Sequence, residues 1–200
     1  MKKCKHFNIR FGGGVVHFFY NDCIYYRMSI LPYNRFAAVE YARRWAFSRN
    51  PNYYDFRGIG GDCTSFASQC LYAGAQVMNF TPDVGWYYLS VNDRAAAWTG
   101  VEFFFRFLTG NFVNPQTFEG GVGDGAGPFA QVSPLQDAEI GDFLQLGETG
   151  GTFYHTLVIV GFSGNMPLVA AHTNDAYNRP LSSYSFAQLR CLHILGVRSP

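Results

Sequence analysis

The stretch FYHTLVIVGFSGNMPLVAAHTN, residues 153–174, holds two short apolar runs on either side of Ser163, Gly164 and Asn165. Each run is too short for an independent helix, and the first is rich in β-branched residues. The Ser-Gly-Asn break is a turn signal, so the stretch reads as a β-hairpin. Centring the hairpin on Gly164 sets residue 173 opposite His155, and a one-residue slip gives 172 or 174. His155 and either His172 or Asn174 are therefore expected as cross-strand neighbours.

The same texture recurs on both sides of the hairpin. AEIGDFLQLG (138–147) and LHILGV (192–197) are short, apolar and bounded by glycines and polar turns, so the C-terminal third reads as a mostly antiparallel sheet. Asp142 is placed to fix the turn into its strand. The preceding residues carry a helical period. NRFAAVEYARRWAF (34–47) sets Phe36, Val39, Ala42 or Arg43, and Ala46 on one face behind Asn34, a capping residue. After the loop SRNPNYYDFRGIGG, helical spacing resumes at Cys63 with Phe66, Ala67, Cys70 and Leu71, and Gly74 reads as the stop.

Residues 78–97 read as irregular, TGVEFFFRFLTGN (99–111) as a third helix, and FEGGVGDGAGPF (118–129) as a glycine-rich loop. That loop lacks the lysine-serine ending of a phosphate-binding motif. Helices followed by a sheet make an α+β fold, here one domain over residues 28–200. Residues 1–27 differ in texture and are set apart as a disordered extension or a mis-assigned start.

Composition narrows the function classes. A 48% hydrophobic content with only 14% charged residues describes a folded chain with a large apolar interior, not a disordered one. A formal net charge of +1 and the lack of a basic stripe argue against a nucleic-acid partner. No apolar run approaches the ~18 residues that a membrane span needs. The N-terminus offers no small-x-small cleavage pattern, which leans the reading toward the cytoplasm and away from export. The cysteines, Cys4, Cys23, Cys63, Cys70 and Cys191, form no CxxC pair, so neither a disulfide framework nor a structural zinc site is indicated.

Chemistry concentrates at GGDCTSFASQC (60–70). With Asp62 as N-cap, its carboxylate accepting a first-turn amide, Cys63 becomes the first helical residue, where unpaired N–H groups and the helix dipole favour a thiolate. A free thiol has a pKa of about 8.5, and such a corner with a nearby imidazolium lowers it. Asp62 opposes this, so a cation must be near. Cys70 lies about 10.5 Å further along the helix and reads as core. His155 supplies the base, and a second polar group, His172 or Asn174, orients its other nitrogen.

Together the blocks NRFAAVEYARRWAFSRNPNYYDF, GGDCTSFASQCLYAGA, WTGVEFFFRFL, IGDFLQLG, YHTLVIV and AAHTNDAYNRPLSSY, spread over residues 33–197, resemble the bacterial putative amidase domain. That group is papain-like and similar to CHAP and NlpC-type cell-wall hydrolases. The resemblance implies a helix-borne cysteine packed on an antiparallel sheet, with Cys63 as nucleophile, His155 as base and His172 as orienting residue. It favours His172 over Asn174 and adds Asp175 as support. The implied activity is cysteine-dependent hydrolysis of an amide in a small molecule or a cell-wall peptide, with no cofactor.

Around this triad, Tyr53 or Tyr54 is a candidate oxyanion donor alongside the Cys63 amide. Trp86, Tyr87, Tyr88 and Trp98 read either as core or as the wall of a groove for a sugar or peptide. Rival readings are an acyl or peptidyl transferase with the same residues, a non-catalytic glycan- or peptide-binding module, and a zinc site of Cys63, His155 and His172.

Overall fold

The computed structural model describes residues 7–11, 14–18, 29–110 and 125–199. The leader set apart on sequence lies outside the described residues except for an antiparallel pair, β1 (Phe7–Phe11) and β2 (Gly14–Phe18). Most of the glycine-rich loop also lies outside them.

The hairpin that opened the sequence reading forms as β8 (Phe153–Ser163) and β9 (Met166–Ala171), joined by Gly164 and Asn165. Gly164 has φ +58°, the left-handed conformation that a two-residue hairpin turn demands and that glycine adopts without strain. A bulge between Ile159 and Gly161 shifts the ladder by one, and inward of it the pairs are Val158 with Ala170 and Ile159 with Val169. This is the register centred on Gly164. Carried past Ala171, it sets Thr173 across from His155.

The hairpin sits in a seven-stranded sheet ordered β10 (Ala176–Pro180), β9, β8, β7 (Phe143–Gly147), β11 (Gln188–Ser199) and β3 (Ser29–Leu31), with β6 (Gly127–Ser133) also paired to β11. Every described pairing in it is antiparallel, as is the separate pair of β4 (Tyr88–Ser90) and β5 (Asp93–Arg94). The polar sequence of β10, AYNRP, and the glycines leading into β6 hide these strands from a reading by hydropathy. Asp142 anchors the entry to β7: its carboxylate accepts from the Glu139 amide at 2.8 Å, the Ile194 amide at 3.0 Å and Arg35 at 2.6 Å.

Strand alternation divides the interior in two. On one face Val158, Val160, Ala170, Phe143 and Leu192 join the helices in a large core. On the other, Leu157, Ile159, Val169, Ala171, Leu144 and Leu146 form a second, smaller cluster closed by Leu181. The helical layer consists of α1 (Arg35–Trp45), α2 (Cys63–Ala75), α3 (Ala96–Thr99) and α4 (Val101–Thr109). No described helix is long and apolar enough to cross a membrane.

Helix α1 starts where the sequence indicates, with Asn34 Oδ1 accepting from the Ala37 amide at 3.0 Å, and Val39, Ala42 and Ala46 of its expected face meet the core, but Phe36 does not. Ala38, Ala42 and Ala46 are fully buried while Phe36 is 74% exposed. Small side chains at i, i+4 and i+8 let α1 lie close against α2, a fit that hydropathy undervalues.

Helix α2 follows its expected spacing, with Phe66, Ala67, Cys70 and Leu71 fully buried, yet Gly74 does not stop it. The helix ends at Gln76, in the left-handed conformation. A Cβ on Gly74 would stand 2.3 Å from the Tyr33 ring and 2.7 Å from the Asn34 carbonyl. Glycine is there to admit the Asn34 backbone, whose amide bonds the Gly74 carbonyl at 3.0 Å.

Eleven of the thirteen α2 residues are buried, so its polar side chains must find partners inside the protein. Ser68 accepts from Trp86 Nε1 at 3.0 Å, and Gln69 Oε1 accepts from the Tyr41 hydroxyl at 2.7 Å. The predicted third helix forms as α4, and a further single-turn helix, α3, precedes it at the end of the stretch read as irregular, the two meeting at Gly100 in extended conformation.

Candidate active site

Cys63 stands at the first position of α2 with 7% exposure, inside a pocket of about 310 Å³ that also presents His155, Thr173, Asn174 and Arg179. The structure thus brings Cys63 and His155 to one cavity. Thr64 on α2 meets Thr156 on β8, hydroxyl to hydroxyl at 3.0 Å, which fixes the start of the helix against the residue after His155. His155 itself has the parity of Leu157 and Ile159, on the sheet face turned away from the helices, and pairs across the ladder with Leu146. Its ring lies against Tyr184, centroids 6.1 Å apart.

His172 has the parity of Ala170 and faces the helices. Its Nδ1 lies 2.6 Å from Asp62 Oδ2, its Nε2 2.9 Å from the Trp45 carbonyl, and its ring stacks on Phe66 at 3.9 Å. Both nitrogens are therefore engaged, and the expected hydrogen bond that would orient His155 is not made. The physical reason is the pleat. Residues 155 and 172 differ by one from a directly opposed pair, and one residue of offset puts them on opposite faces. Among the described residues the ring nitrogens of His155 have no hydrogen-bond partner, and Asn174, the other orienting candidate, is a lining residue of the pocket.

Asp62 also departs from expectation. It occupies the N-cap position of α2 but makes no side-chain capping bond. Its Oδ1 accepts from the Phe56 amide at 3.3 Å, and its Oδ2 is shared between His172 and Arg49 Nε, the latter 3.4 Å away. Arg49 is the cation that a carboxylate beside a cysteine calls for; its place in a loop rich in asparagine and tyrosine gave no positional signal. Arg49 is in turn held by Asp175 through two hydrogen bonds of 2.8 and 3.0 Å. Asp175 supports Asp62 through Arg49 and is not a lining residue of the pocket.

Because the carboxylate turns away, it leaves the first-turn amides of α2 uncapped. Thr173 fills a neighbouring role: its Oγ1 accepts from the Asp62 amide at 3.2 Å, with its backbone at φ +84°. A left-handed threonine is strained, and such strain is found where surrounding contacts hold a residue in place.

Burial governs the protonation states. The Cys63 thiol is raised above the ordinary value chiefly by desolvation, with the Asp62 charge adding to it; hydrogen bonds from Thr156 and Thr64 oppose without cancelling. His155 is pushed down to about 4, first by desolvation and then by the charge of Arg179. Both effects favour the uncharged forms, a thiol at Cys63 and a neutral imidazole at His155, over the thiolate that the helix terminus alone would favour.

The remaining candidates lie elsewhere. Trp86 and Trp98 are fully buried and stacked with centroids 5.0 Å apart, and Tyr88 is 8% exposed. They belong to the core on the helix side, not to a binding groove. Tyr53 stacks on Trp98 at 5.8 Å. Tyr54 is 43% exposed, packs on Phe56, and gives its backbone amide to the Tyr88 hydroxyl at 3.0 Å. Neither tyrosine lines the pocket; Tyr154 and Tyr184, to which the sequence assigned no role, do. Among the described residues no three His, Cys, Asp or Glu side chains gather as metal ligands, so Cys63, His155 and His172 do not form the zinc site weighed above.

Residues 32–194 match the model of a family described as Putative amidase domain. The chain is 30% identical over 151 residues to the uncharacterized protein YhbB of Bacillus subtilis (strain 168), an alignment covering 74% of this chain and 43% of that protein. The chain therefore spans less than half the length of that relative. No solved structure matches the chain significantly. The matched span contains the helix that carries Cys63, both histidines and the whole β8–β9 hairpin, and the chain belongs to the Putative amidase domain family, whose description is of amide hydrolysis.

Proposed function

We propose that the protein is a papain-like cysteine amidase in which Cys63 is the nucleophile and His155 the general base. One observation carries this reading: Cys63 and His155 line a single pocket at a helix terminus whose capping carboxylate is turned away. In the first step Cys63 Sγ attacks the amide carbonyl and its proton passes to His155, which suits a pair that rests neutral. The Cys63 amide and its first-turn neighbours receive the negative charge on the carbonyl oxygen.

The protonated His155 then gives its proton to the amine as the C–N bond breaks, leaving a thioester on Cys63. Water, deprotonated by His155, adds to the thioester; the acid departs and the thiol is restored. His172, Asp62 and Arg49 act as positioning residues. They fix the loop that ends at Cys63, in the way a third triad member fixes its neighbour, but from the nucleophile's side. Substrates of this reading are small amides or short peptides, cell-wall peptides among them.

Incubation with a peptide library and with cell-wall fragments, read by mass spectrometry, tests the proposal. The expected result is cleavage by the wild type, none by Cys63→Ala, and a transient acyl adduct on the peptide containing Cys63 after rapid quench. Cleavage that persists in Cys63→Ala with an intact fold would overturn it.

A further inference from the structure

The pocket carries charge of one sign. Arg179 is the formally charged side chain among the residues described as lining it, and no aspartate or glutamate lines the pocket with it. The contrast with Arg49 is sharp, since that guanidinium has Asp175 at 2.8 Å and Asp62 at 3.4 Å. Arg179 nevertheless is held in place. Its Nε donates to Ser183 Oγ at 2.8 Å, its Nη2 to the Ser183 carbonyl at 3.1 Å, and its Cζ lies 4.0 Å from the centre of the Tyr184 ring. These contacts leave Nη1 without a hydrogen bond among the described residues. The Tyr184 hydroxyl, shielded from solvent, has no partner of normal geometry, and the Arg179 guanidinium is the donor group near it.

A guanidinium fixed by a serine and an aromatic face, with a free donor edge in a pocket that lacks carboxylates, is arranged to bind a planar anion. We propose that Arg179, aided by Tyr184, binds a carboxylate of the substrate, so that the site acts on amides carrying a free acid close to the scissile bond. This rests on the amidase reading above and specifies its substrate class. Electrostatics lends support. Arg179 contributes to keeping His155 deprotonated, so an acid bound to Arg179 offsets that charge and makes His155 a stronger base while substrate is present.

The test uses N-acetyl tripeptides in matched pairs: aspartate, glutamate or a free C-terminus in one member, and asparagine, glutamine or a C-terminal amide in the other. Binding is measured by calorimetry on Cys63→Ala, and turnover on the catalytically intact protein. The expected result is a preference of roughly ten- to a hundredfold for an acid over its carboxamide. That ratio should fall to near one in Arg179→Ala, survive in part in Arg179→Lys, and invert toward cationic peptides in Arg179→Glu.

If the acid preference appears in binding but the catalytically intact protein cleaves nothing, the anion site stands and the amidase reading fails. If peptides are cleaved with no acid preference, or with one that Arg179→Ala retains, the anion site fails and the amidase reading stands. Absence of any acid preference in both measurements overturns the assignment of Arg179.

Discussion

The two faces of the sheet near Cys63 treat their histidines in opposite ways. On the helix face His172 has both nitrogens bonded, its ring stacked, and a buried carboxylate and an arginine beside it. On the other face His155 is almost as buried, at 8% exposure, yet its ring has no hydrogen-bond partner among the described residues and shares a cavity with an uncompensated cation. A saturated group is committed to structure, since any proton transfer breaks a bond already made. An undersatisfied one costs stability and is free to react. The difference separates a residue that builds the site from one that works in it.

The largest effect that sharpens this contrast is on activity. Cys63→Ala and His155→Ala should each lower amide turnover by roughly 10³-fold or more while leaving the circular dichroism spectrum and melting profile near wild type. Equal losses of fold in both variants would erase the contrast. Next comes stability: Asp62→Ala leaves His172 Nδ1 and the Phe56 amide without their buried partner, while Arg49 keeps Asp175, and should cost about 3–5 kcal/mol in urea unfolding. His172→Ala should behave similarly by stranding the carboxylate.

The effect of pH is smaller and its sign follows from His155. The folded chain protonates it only near pH 4, below the ordinary histidine value of 6.5, so between these values the unfolded chain binds more protons. Stability is therefore full above about pH 6.5, falls as pH drops through that window by up to about 3 kcal/mol, and levels off below about 4. Urea midpoints measured across pH should show this slope, and His155→Gln should flatten it. Smallest is Thr173→Gly. It relieves the positive φ but loses the bond to the Asp62 amide, so thermal unfolding should shift by no more than about 1 kcal/mol. A loss of several kcal/mol would mean that the turn, and not the pair Asp62–His172, carries the site.

Much of this arrangement is legible in the amino-acid order, and the failures have definite causes. The hairpin register could be read because a two-residue turn leaves little freedom, and it pointed to residue 173. The step from 173 to 172 for the sake of chemistry crossed the sheet, because alternation makes neighbouring residues the least interchangeable positions in a strand. Cys63 and the buried positions of α2 followed from periodicity. The face of α1 followed at Ala42 and Ala46 but not at its start, where close packing took Ala38 and left Phe36 exposed.

The partners of Asp62 and the neighbours of His155 were out of reach for another reason. Arg49 comes from a polar loop and Arg179 from the polar edge strand β10, and only the closed fold shows that one is paired with carboxylates and the other is not. The aromatic cluster at Trp86 and Trp98 left core and groove wall both open, and the structure takes the core although the segment around it is polar and contains glycine.

The turn that leaves β9 has an evolutionary consequence. His172, Thr173 and Asn174 are consecutive, yet the first serves the helix face, the second holds the backbone of the nucleophile loop, and the third borders the cavity. Inserting or deleting one residue there would reassign all three at once. Relatives that keep the activity should therefore vary freely in the identity of nearby loop residues but show no change of chain length between Ala171 and Asp175.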